Sequence, residues 1–169
     1  MSNIQAALRI LAKKKYPITE IVHDINELVY FNYKGEKFVT FFLAHYNLED
    51  NSIQYINCGH NGPIFYQENK GFTLLEEGTV PLGAFEQIHS LSKGHIQDIK
   101  GKSILFSYTD GLVEAFDSMD TNRSLDIIKN CILQTKQEWK LNAEVLDKLQ
   151  IKSNNFDDIT ILSCFVNHV

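Results

Sequence analysis

The amino-acid sequence predicts an α+β fold with a mostly antiparallel sheet. Apolar residues recur at helical spacing near both ends of the chain, and β-branched and aromatic runs fill the middle. Short polar turns join successive runs, so neighbouring strands reverse direction as hairpins do. The 169 residues suffice for one domain with its own core and are too few for two comfortable ones. No internal repeat, low-complexity stretch or linker interrupts them, so residues 1–169 read as a single domain.

Residues 1–15 form the first expected helix, with Ile4, Ala7, Leu8 and Leu11 on one face. The Lys13-Lys14-Lys15 run reads as a solvated helix end, where the helix dipole favours cations, rather than a phosphate patch. Pro17 suits the first turn of a second helix. Ile18, Ile21, Val22, Ile25, Leu28 and Val29 then repeat at helical spacing to about Tyr30, completing an αα-hairpin. From Phe38 the period changes. Residues 38–46 and 53–58 flank a polar turn as a hairpin, and residues 64–66 and 72–75 flank Asn69-Lys70-Gly71 as another. Residues 90–99 make a weaker strand. Residues 103–108 are almost continuously apolar and read as a strand buried on both faces. Helical spacing returns over residues 124–135 and 143–150, the latter with Asn142 as its N-cap. Residues 159–166 form the last strand.

Composition narrows the function. Apolar residues make up 44% of the chain, as in globular proteins. Sixteen Lys and Arg face 21 Asp and Glu, a net charge of −5 that speaks against a nucleic-acid partner. No apolar run approaches the ~18 residues of a membrane span, and Met1-Ser2-Asn3-Ile4-Gln5 lacks the basic start of a signal peptide. Cys58, Cys131 and Cys164 are odd in number and form no CxxC pair. They fit neither a zinc knuckle nor a disulfide framework, and they point to a reducing, cytoplasmic setting.

Two acidic positions stand at strand ends. Asp110-Gly111 follows the buried run, and Asp157-Asp158 precedes the last strand. Converging carboxylates at such places would suit Mg²⁺ or Mn²⁺, which take oxygen ligands and keep several waters. Spacing alone is better served by a plain Asp-Gly turn and a turn-capping Asp157. The loop Asn57-Cys58-Gly59-His60-Asn61-Gly62-Pro63 has glycines that permit close backbone approach. His60 there is either a general acid or ligand, or an ordinary loop histidine. No serine-nucleophile, HxxxH or glycine-rich phosphate motif occurs, and Cys58, with no evident base, reads as a packing residue.

Five segments occur in a telling order: Phe38-Val39-Thr40-Phe41-Phe42, the Asn57–Pro63 loop, Pro81-Leu82-Gly83, the stretch from Ser107-Tyr108-Thr109-Asp110-Gly111 to Ala115, and Asp157-Asp158-Ile159-Thr160. In this order they resemble the catalytic domain of the bacterial stage II sporulation protein E and sigma-B-regulating phosphatases, a branch of the metal-dependent PP2C-type serine/threonine phosphatases. The resemblance implies an antiparallel β-sandwich flanked by helical hairpins. It implies that Asp110 and Asp157 are metal ligands, with Asp158 beside them as a partial ligand. It places Gly59, His60, Asn61 and Gly111 near the catalytic face. Two Mn²⁺ or Mg²⁺ ions would activate a water toward a phosphoserine or phosphothreonine, on a phosphorylated STAS-type anti-anti-sigma factor.

The sequence also departs from that family. Its first metal motif, Asp-x-Ser-Gly-x-Gly, is absent, and the chain is expected to begin just after it, N-terminally truncated. Two carboxylates offset only half the charge of two divalent ions, so one ion is easier to hold and this chain alone is expected to be weak or inactive. Missing upstream strands would leave a sheet edge open and invite a homo-oligomer. Residues 118–123 lack the family's Phe-Gly element. The alternatives are a non-catalytic module that binds a partner in a sigma-factor pathway, and a generic α+β domain.

Overall fold

A computed structural model describes residues 2–114, 121–149 and 158–167. The elements are α1 (Ser2–Lys13), α2 (Ile18–Tyr33), β1 (Phe41–Asn47), β2 (Ser52–Cys58), β3 (Ile64–Gln67), β4 (Gly71–Leu74), β5 (Gly78–Thr79), β6 (Gly94–Ile96), β7 (Lys102–Tyr108), α3 (Asp110–Glu114), α4 (Thr121–Gln134), a 3₁₀ turn (Glu138–Lys140), α5 (Leu141–Lys148) and β8 (Ile161–Asn167). The chain divides into two compact units, Met1–His60 with Leu75–Ile99, and Asn61–Leu74 with Lys100–Val169. Among the described residues no helix is long and apolar enough to cross a membrane.

The first unit holds the expected αα-hairpin and the β1–β2 hairpin. Phe41 pairs with Cys58 and Asn47 with Ser52, antiparallel throughout. On its other side β2 takes β6 antiparallel and β5 parallel. Only Gly94–Ile96 of the weak strand expected over residues 90–99 forms, as β6. Ile21, Val22, Ile25 and Val29 of α2 pack with Ile56, Cys58 and Leu82, and Ile4, Leu8 and Leu11 of α1 lie half-buried against them. That is the apolar face the helical spacing predicts.

One residue in this core is polar. Asn26 is buried on α2, 2% exposed. Its carboxamide nitrogen donates to the carbonyls of Phe85 and Glu86, each at 3.2 Å, and its oxygen accepts the Gly83 N–H at 2.8 Å. Residues 83–86 have no ladder there, so this side chain supplies the partners their backbone requires.

The second unit is a four-stranded antiparallel sheet in the order β4-β3-β7-β8, with α3, α4 and α5 belonging to the same unit. Its core joins Ile64, Ile104, Phe106 and Tyr108 of the sheet to Leu112, Ile128, Ile132 and Val145 of the helices. The expectation that β7 is buried on both faces holds only in part: Ile104, Phe106 and Tyr108 are buried on one face, and on the other Ser103 is buried whereas Leu105 and Ser107 are half-buried. Alternate residues of a strand point to opposite faces, and only one of them meets this helical core.

The N-cap expected at Asn142 is also corrected. Helix α5 begins two residues earlier, at Leu141, because the 3₁₀ turn runs straight into it and the Leu141 N–H already reaches the Glu138 carbonyl. Asn142 instead accepts a hydrogen bond from the Ser163 hydroxyl on β8.

Replacing Asn26 by alanine leaves the buried Gly83 N–H and the Phe85 and Glu86 carbonyls without these partners. We expect a loss of about 2–3 kcal/mol in urea unfolding. Asn32→Ala, on the exposed face of the same helix where the side chain only reaches the Leu28 carbonyl, should cost less than about 0.5 kcal/mol.

Candidate active site

The carboxylate at Asp110 owes its place to what flanks it. Tyr108 ends β7 in the core, and Leu112 one turn later is fully buried in the same core. With both neighbours anchored, Asp110 opens α3 with its side chain exposed. Its Oδ1 accepts the Gly111 N–H at 3.0 Å. Gly111 itself is buried. The Asp-Gly pair is thus the start of a short helix, not the plain turn that its composition also allowed.

Thr109 ties this corner to the last strand. Its N–H donates to the Thr160 carbonyl at 3.1 Å. Its hydroxyl donates to the Asp158 carbonyl at 3.0 Å and accepts the Thr160 N–H at 2.9 Å. These three bonds extend the β7–β8 ladder past Tyr108↔Ile161 and bring residues 158–160 beside 109–110. The structure therefore gathers the Asp110 and Asp158 segments at one end of one sheet, both carboxylates exposed. Asp157 lies outside the described residues. Thr109 and Thr160, each beside an aspartate motif, are the residues sequence reasoning passed over. The signal was a hydroxyl residue flanking both motifs.

Oxygen-only donors, exposed to hydrated ions and held by backbone bonds, match what Mg²⁺ and Mn²⁺ accept. Among the described residues, no group of three or more His, Cys, Asp or Glu side chains is placed to hold a metal.

The Gly59–His60 corner belongs to the first unit and is held differently. Asn57, at the end of β2 and 5% exposed, turns its side chain back on its own loop. Its nitrogen donates to the His60 carbonyl at 2.9 Å and the Leu75 carbonyl at 3.1 Å. Its oxygen accepts the His60 N–H at 2.8 Å. Gly59 has φ +68°, and a Cβ there would sit 2.5 Å from the Pro81 ring, so glycine is required twice over. Gly78 pairs with Asn57 so closely that a Cβ would lie 1.7 Å from the Asn57 carbonyl oxygen. Asn61 follows His60 in the chain, in the second unit.

With this geometry in view, comparison with known proteins is decisive. The family described as Stage II sporulation protein E (SpoIIE) matches residues 1–167. The chain belongs to the SpoIIE family. It is 25% identical over 115 residues to the phosphoserine phosphatase RsbU of Bacillus subtilis (strain 168), covering 68% of this chain and 34% of that protein. It superposes with a TM-score of 0.78 on the RsbU and RsbW domains of a Mycobacterium tuberculosis protein, at 21% identity over 96% of this chain and 46% of that one. It superposes equally, at 0.78 and 16% identity, on the PP2C phosphatase domain and regulatory fragment of Bacillus subtilis SpoIIE, covering 96% of this chain and 48% of that one. The SpoIIE-family chain thus has the fold of PP2C phosphatase domains, and it spans about a third of its curated relative and under half of these two structures.

Cys58 behaves as the packing residue its sequence context suggests. It is fully buried, and burial pushes its thiol up to about 12. The thiolate is the reactive form, so Cys58 is inert at neutral pH. Cys131 is buried as well, and Cys164 on β8 is exposed. Iodoacetamide at pH 8 should therefore label Cys164 first, with Cys58 labelled only on the unfolding timescale, as mass spectrometry of the tryptic peptides would read.

Proposed function

We propose that this SpoIIE-family chain is a metal-dependent protein phosphatase that hydrolyses phosphoserine or phosphothreonine on a regulatory protein of the STAS type, with residues 1–169 acting as one phosphatase domain. The observation that carries the reading is the corner where Thr109 joins the Asp110 and Asp158 segments. Asp110 and Asp158, with Asp157 next to it in sequence, would hold Mg²⁺ or Mn²⁺. Such an ion, when bound, lowers the pKa of its water enough to make a nucleophile at neutral pH. The protein's own part is positional. Thr109 fixes the spacing of the two acidic segments, buried Leu112 stops α3 from drifting, and the Gly111 N–H orients one oxygen of Asp110. The exposed carboxylates leave the corner open to a protein-sized substrate, and the Gly59–His60–Asn61 loop would face the phosphoprotein.

Three free cysteines support a cytoplasmic setting. Self-association, where it occurs, would use the edge strands β1, β4 or β8. A module that binds a partner of a sigma-factor regulatory pathway without catalysis is the second reading.

The test is phosphate release from a serine-phosphorylated STAS-domain protein by the full gene product with Mn²⁺. We expect turnover that EDTA abolishes and that Asp110→Asn or Asp157→Asn lowers on the order of 100-fold or more. Turnover indifferent to Asp110→Asn defeats the assignment of the site. Tight, metal-independent binding with no turnover selects the binding module.

A further inference from the structure

Two motifs of the sequence remain unused by the metal corner, the Asn57–Pro63 loop and Pro81-Leu82-Gly83, and their first-unit residues, 57–60 and 81–83, form one device. Gly59 is bridged to Phe41 and Leu82 to Val39, which sets both segments along the β1 side of the sheet. The Pro81 ring fills the space a side chain at Gly59 would need. Behind them the Asn57 carboxamide closes both backbone groups of His60, N–H and C=O, and adds the Leu75 carbonyl. A buried side chain that satisfies the donor and the acceptor of one loop residue leaves that residue a single backbone conformation. Such a lock costs desolvation of an amide and a residue of poor strand propensity at the end of β2. A loop needed only as a connection between β2 and β3 would be served by solvated backbone.

We propose that Asn57 is a positioning residue of the phosphatase reaction, holding Gly59 and His60 preorganised for the phosphorylated protein substrate. The inference rests on the phosphatase reading above. Asn57 touches no substrate itself and acts through His60. Its contribution is thus expressed through the loop, and preorganisation sets how much binding energy is lost in ordering that loop.

The experiment uses the full gene product with Mn²⁺ and a serine-phosphorylated STAS-domain protein as probe. Asn57→Ala should lower kcat/KM about tenfold, mostly through KM. In the His60→Ala background the same change should have no further effect, since contributions made through one group do not add. Hydrogen exchange at the His60 amide should quicken at least tenfold in Asn57→Ala. It should quicken less in Asn57→Asp, which keeps the acceptor for that amide and loses both donors. Ile132→Ala, in the core of the second unit, supplies a comparable loss of stability without touching the loop, and should leave KM alone. Additive losses in the double variant overturn the proposal. So do unchanged exchange at His60 and an equal KM effect from Ile132→Ala. If the unmodified gene product releases no phosphate with Mn²⁺ or Mg²⁺, the phosphatase reading fails and this inference falls with it, whereas turnover with an indifferent Asn57 defeats this inference alone.

Discussion

Backbone carried into buried ground must find hydrogen-bond partners, and in the first unit two asparagines meet that demand. Asn26 serves the segment from Gly83 to Glu86, and Asn57 serves His60 and Leu75. Neither segment has a continuous ladder of its own, yet the Gly83 N–H and the Leu75 carbonyl belong to buried residues. Without these carboxamides the loops would have to move outward to solvent, and the apolar contacts of Leu82 with Val29 and Ile56 would loosen with them. The hydrophobic face of α2 and the shape of the loops are thus one problem with one solution.

In the second unit the constraint is register. β7 is paired on both sides, with β3 and with β8, and its buried residues alternate into one core. A shift of one residue would turn Ile104, Phe106 and Tyr108 to the opposite face. It would also carry Thr109 away from Thr160 and Asp110 away from Leu112's anchorage. Packing along the strand therefore decides where the acidic corner stands, and the Thr109 hydrogen bonds hold its two segments together there.

Most of the architecture was legible because apolar periodicity reports burial directly. The αα-hairpin, both β-hairpins, β7, α4, α5 and β8 all follow from it, to within a few residues. What escaped reading were features decided by neighbours distant in sequence. Asn26 and Asn57 look like interruptions of apolar patterns until the loops 57 and 18 residues away are in place. Leu105 reads as core from its chemistry, and only the arrangement of helices on one face shows it half-covered. Asn142 has the chemistry of a cap, but the 3₁₀ turn before it made a cap unnecessary. At the candidate site, Asp110, Asp157 and Asp158 were singled out from their motifs, while Thr109, which brings the Asp110 and Asp158 segments together, left only the weaker signal of a hydroxyl beside each motif.

The near-contact of Gly78 with the Asn57 carbonyl has a bearing on how this chain can change over generations. Any other side chain places a carbon 1.7 Å from an oxygen already there. Position 78 is therefore closed to drift, and it closes its surroundings too: the parallel pairing of Asn57 with Gly78 and of Cys58 with Thr79 cannot slide without a second glycine arriving at the same moment. In this chain the pairing of β2 with β5 stands on the missing side chain at position 78.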